Sequence, residues 1–224
     1  MLVLHDRWGR GAELDVAARL ISGDTYRLGE LKKTLVSLKR QAVANVDAPK
    51  ILRAEAIILL YLAELKSGSY EEALPAAERA VRASLFQNPN DSFLWLNLYL
   101  LRNANNGFAT EDAALLHESY STGPREGWIA ITRNRRALAI LPFLDDANQQ
   151  QVISEFAALV KARLFEVAQA SMVGAGWVHR ERLLAALERV DLPTREMFAR
   201  ALRDGGVAVR VPGVLVPDQP WRRN

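Results

Sequence analysis

Apolar residues recur at intervals of three and four along nearly the whole chain, and alternation at every second position is confined to Val207, Val209 and Val211. The first spacing keeps one face of a helix apolar, and the second marks a strand. The pattern predicts helices over about 12–21, 28–46, 49–66, 69–86, 91–103, 110–120, 123–141, 145–163, a short one ending near 172, then 178–190 and 191–203. Boundary residues support these spans. Pro49 suits a first helical turn. Ser69-Tyr70-Glu71-Glu72 is a capping box. Thr110 and either Asp145 or Asp146 are N-cap candidates. Pro75 falls one turn inside its helix and should kink it or shift its start. Val173-Gly174-Ala175-Gly176 is the clearest internal break. Beyond Gly206, Pro212, Pro217 and Pro220 predict an extended tail.

Two stretches, 57–65 and 93–101, are apolar on almost every side, with Asn97 the polar exception in the second. A helix hydrophobic all round is buried all round, so both belong in interior layers. Helices joined by short turns, without strands between them, form antiparallel hairpins. The expected fold is all-α: ten or eleven helices in stacked antiparallel hairpins. Residues 1–173 form the array, 177–205 a C-terminal helical hairpin subdomain, and 206–224 an extended proline-containing tail.

One segment resembles a known family. Residues 53–89 carry Ile57, Leu60, Tyr61, Gly68, Tyr70, Ala73, Ala80 and Pro89, with GSYEEAL at 68–74. This is similar to a tetratricopeptide repeat. A looser second copy spans 91–122 through Trp95, Leu98, Tyr99, Gly107 and Phe108, and Trp128 could begin a third. Trp95 lies 38 residues after Ile57, against a usual period of 34. Tyr61 and Tyr99 stand where the repeat has a glycine. The resemblance implies a degenerate helical-repeat solenoid that binds a protein or peptide on a concave face. A second, fainter likeness joins GPREGWIAITRNRRALA (123–139) and the terminal PWRR to helical proteins encoded beside bacterial exopolysaccharide genes.

Composition narrows the chemistry. Half of the 224 residues are hydrophobic, enough for a sizeable core, and the net charge is only +3. With no cysteine, disulfide scaffolds and thiolate sites are excluded. The cations are 23 Arg and 6 Lys, scattered among glutamates and not gathered into the basic face of a nucleic-acid binder. The N-terminus lacks the basic-then-apolar order of a signal peptide. No apolar stretch reaches the roughly 18–20 residues of a membrane span. These features lead us to expect a soluble chain of the cytoplasm or periplasm.

Catalytic and cofactor motifs do not emerge. His5, His117 and His179 are isolated from one another, and there is no HExxH, Walker A or G-x-S-x-G sequence. We expect no catalytic residue, cofactor or metal. Arg133, Arg135 and Arg136 in the seventh helix form the most informative cluster. On a 100° wheel, Ile131 and Leu138 define an apolar edge flanked by Trp128, and Arg135 falls on that arc. Arg133 and Arg136 lie opposite, with Ile129 and Ile140. An arginine on an apolar arc needs a carboxylate, a carbonyl or a ligand. Two readings follow: an arginine-lined groove for an acidic peptide or anionic glycan, or an internal ion pair. Asn97, Trp128, Trp221 and Arg222 complete the candidate binding residues. Three functions fit the sequence: a non-catalytic scaffold or adaptor, an accessory protein of bacterial exopolysaccharide assembly anchored to the membrane in a longer form, or an all-α glycan-acting enzyme.

Overall fold

The computed structural model describes residues 5–43, 47–65, 70–124 and 126–215. Among these the chain is all-α, with eleven α-helices packed against one another and no strand. It divides into two compact units, Met1–Thr122 and Gly123–Asn224.

The first unit holds α1 (His5–Ile21), α2 (Leu28–Val43), α3 (Ala48–Glu64), α4 (Tyr70–Gln87), α5 (Ser92–Asn106) and α6 (Ala113–Thr122). The two apolar stretches are largely interior, except that Glu64 and Leu65, which end the first, are exposed. Helix α3 packs against α1, α2 and α4, and α5 packs against α4 and α6. Ile51, Ala54, Ile57, Ile58 and Leu60 of α3 join Leu94, Leu98 and Leu101 of α5 in one core. Burying each large aliphatic side chain contributes about 1.5–3 kcal/mol. Buried Ala54, Ala56 and Ala77 let α3 and its neighbours approach closely.

Polar clasps fix the order of the helices. Asp91 caps α5 by accepting from the Leu94 N–H at 3.1 Å, and its other oxygen accepts from Arg53 Nε on α3. Ser92 Oγ donates to the Ser119 carbonyl at 2.8 Å, and Ser119 Oγ donates back to the Ser92 carbonyl at 2.9 Å, joining α5 to α6. Arg102 pairs with buried Asp112 at 2.6 Å. Thr110 does not cap α6. It begins a 3-10 turn, Thr110–Asp112, that leads into the helix. Helix α4 continues through the position of Pro75 instead of starting there. Ser69 of the expected capping box and Gly68 of the repeat-like pattern lie outside the described residues.

The second unit holds α7 (Gly127–Ala139), α8 (Asp146–Lys161), α9 (Phe165–Val173), α10 (Arg180–Ala186) and α11 (Leu192–Asp204), with a 3-10 turn Leu187–Arg189 extending α10. Helix α8 is its centre, meeting α7, α9, α10 and α11. Phe156 of α8 meets Phe198 of α11 edge-on at 6.2 Å, and Phe165 stands 5.8 Å from the same ring. Asp145 caps α8 through the Asn148 N–H at 2.8 Å, and Asp191 caps α11 through the Thr194 N–H at 3.0 Å.

The glycine break plays a different part from the one its sequence suggests. Helices α9 and α10, on either side of it, both pack on α8, so the break is a corner inside the second unit. The chain divides at Gly123, not at 173–177. Gly176 makes the corner tight: a Cβ there would come within 2.8 Å of the Ser171 carbonyl oxygen and 2.9 Å of Leu183. After α11 the chain is non-helical as far as Leu215, and Val211 is buried. The Pro212 carbonyl accepts from Arg195, which holds this segment against α11.

Candidate functional site

Helix α7 carries the arginine cluster, and its orientation separates the three arginines. The side facing the core is Ile129, Ala130, Arg133, Asn134, Ala137 and Leu138. Trp128 and Ile131 are 45% and 42% exposed, and Arg135 and Arg136 are exposed beside them. Of the apolar edge read from the wheel, Leu138 is buried, but Ile131, Trp128 and Arg135 are exposed. Apolar residues occur on both arcs of this helix, and the contact with α8 and α9 selects Ile129 over Ile131.

Arg133 is fully buried, with 0% exposure. Its Nε and Nη2 donate to Glu155 Oε1 at 3.1 and 2.6 Å, and Nη2 also donates to the Gly123 carbonyl at 2.9 Å. The neighbouring Asn134 Nδ2 donates to the Val152 carbonyl at 2.8 Å. Together these form a polar layer between α7 and α8. Of the two readings of Arg133, the geometry is that of an internal ion pair. A buried pair costs desolvation of both ions, and its hydrogen bonds offset that cost only in good geometry. Hydrogen bonds to Glu155 and to the Gly123 carbonyl meet that condition, so Arg133 anchors α7, while Arg135 and Arg136 are left on its outward face.

The remaining candidates sit elsewhere. Asn97 is buried and donates Nδ2 to the Phe93 carbonyl at 2.8 Å, one turn back on its own helix. Trp221 and Arg222 lie outside the described residues. Asp145, the cap of α8, accepts from Asn148 Nδ2 as well, at 2.9 Å. Among the described residues no cluster of three or more His, Asp or Glu side chains is placed to hold a metal. No described helix is long and apolar enough to cross a membrane.

A second feature escaped the sequence. A groove of about 570 Å³ runs between α8 and α10. Ala157 and Ala158 line one wall and Ala185 and Ala186 the other, with Lys161, Arg182 and Arg189 also on the lining. Arg182 donates to Gln149 Oε1 at 2.8 Å, which sets the N-terminal part of α10 beside that of α8. Partial burial of His179, and after it the Arg182 charge, hold the imidazole below its ordinary pKa. The alanine doublets were visible in the sequence as small positions on two helices. That they face each other across a gap is a fact of tertiary packing.

Comparison of the chain with protein-family models, with curated proteins and with solved structures gives no match.

Proposed function

We propose that the chain is a helical-repeat adaptor that binds a partner protein through the outward face of α7. The observation that carries this reading is the composition of that face. Trp128, Ile131, Arg135 and Arg136 stand exposed within three turns, on a helix whose inner side is fixed by the Arg133–Glu155 pair. Tryptophan and arginine are the side chains that most often dominate protein–protein affinity. A rigidly mounted face also loses less entropy when it is covered. The packed hairpins of the first unit, and the tetratricopeptide-like pattern of residues 53–89, suit the same role.

The test is site-specific photo-crosslinking from Thr132, an exposed position in the middle of this face, in extract of the native host. A discrete protein adduct is expected, and Arg135→Glu with Arg136→Glu should abolish it. An adduct pattern no different from that of a probe at the exposed Arg200 of α11, or one indifferent to the charge reversal, defeats the reading.

A further inference from the structure

The groove between α8 and α10 has no residue in common with the α7 face, and its chemistry points to a particular occupant. Its α8 wall runs from Gln150 to Lys161, which at 1.5 Å per residue is about 16 Å, or three helical turns. Alanines occupy the middle of both walls, and buried Ile153 and Val190 add apolar surface. Small side chains let a packed helix come close to the backbone beneath it. Charge is arranged around this apolar strip. Arg182 stands toward one end, with Lys161 and Arg189 toward the other, and Glu188 is the one carboxylate on the lining. Among the described residues none of the three cations is held in an ion pair, and with Glu188 the lining carries a net charge of +2.

We propose that this groove binds a short acidic helix of a partner protein, about three turns long, with carboxylates toward both ends and small apolar residues between them. Charge complementarity selects this occupant over the two supplied by the chain itself. Residues 216–224 carry Arg222 and Arg223 against Asp218, so their sign is wrong. A second copy docking groove to groove would set like charges against each other, which is unfavourable.

The test is selection of 12-residue helical peptides from a display library on the full chain. Anisotropy titrations of the selected peptides with purified variants would follow. Enrichment of clones with acidic residues near both ends is expected. Their affinity should fall at least tenfold in Lys161→Glu with Arg189→Glu, and again in Ala185→Trp, which fills the groove without touching its charge. Arg200→Glu should leave it unchanged, and circular dichroism should show native helicity in every variant. Arg135→Glu with Arg136→Glu keeps this outcome separate from the adaptor reading. If that variant alone loses the peptide, the clones occupy α7 and the groove proposal falls while the α7 face stands. Absence of acidic enrichment, or acidic clones that bind the groove variants as well as the parent, also overturns it.

Discussion

Arg133 shows how one residue can look functional in sequence and be structural in space. Its charge is neutralised by Glu155 inside the second unit, and the Gly123 carbonyl accepts from the same guanidinium. Removing one partner leaves the other ionised and buried, which costs about 3–5 kcal/mol. Arg133→Met and Glu155→Gln should each lower stability by about that much in urea denaturation. The double variant Arg133→Met with Glu155→Leu should recover most of the loss, since an apolar pair of similar volume often replaces a buried ion pair without penalty. A double variant no more stable than the singles would show that the interaction is not the source of the effect. Arg135 and Arg136 lie in the same four-residue run, and the run itself gives no sign of which arginine turns inward. Neither the hydrophobic pattern nor charge separates them, because Ile129 and Ile131 are equally apolar and only Ile129 is buried.

At the scale of the element, the cap of α8 was legible, while Thr110 opens a 3-10 turn and does not cap α6. Asp145 and Asp191 precede their helices in the sequence and bond the expected N–H groups. An N-cap carboxylate replaced by alanine costs about 1 kcal/mol, and Asp145→Ala should lower stability to that extent. Asp191 adds a pH dependence. The Thr194 N–H and hydroxyl bonds, opposed by slight desolvation and aided by the Arg163 charge, hold its carboxyl below the ordinary value of 3.8. A carboxyl whose pKa is lower folded than unfolded stabilises the fold above its unfolded value. That contribution disappears as pH drops through the folded one. Melting temperature followed from pH 7 to pH 2 should therefore show a shallower acid decline in Asp191→Asn than in the parent. Parallel curves would mean that the cap carries no linked proton. Pro75 was less legible: it costs α4 one intrahelical bond, and the packing of α4 against α3 and α5 outweighs that loss.

The whole molecule is two units, each with a central helix: α3 in Met1–Thr122 and α8 in Gly123–Asn224. A unit that buries its own core can fold alone. Residues 123–224 expressed separately should show a helical circular-dichroism spectrum and a cooperative thermal transition. A gradual, non-cooperative melt would show that its core is incomplete. The sequence placed the main break at Gly174 and Gly176 because glycine pairs interrupt helices. The structure uses those glycines for close approach instead, and divides the chain at Gly123-Pro124, a signal the sequence offered only as a helix start.

Periodicity and turn chemistry determined the helical class of this protein, the approximate span of most helices, and the interior placement of most of 57–63 and 93–101, because these follow from interactions within a few residues. They also bounded the chemistry, since a chain without cysteine and with scattered histidines has no local thiolate or metal motif. Tertiary structure alone decided which arc of α7 faces inward, that Glu155, 22 residues away, neutralises Arg133, and that the alanines of α8 and α10 face each other across a basic groove. These depend on how distant helices pack. Packing is set by the shapes and charges of whole faces, which no single stretch of the sequence contains.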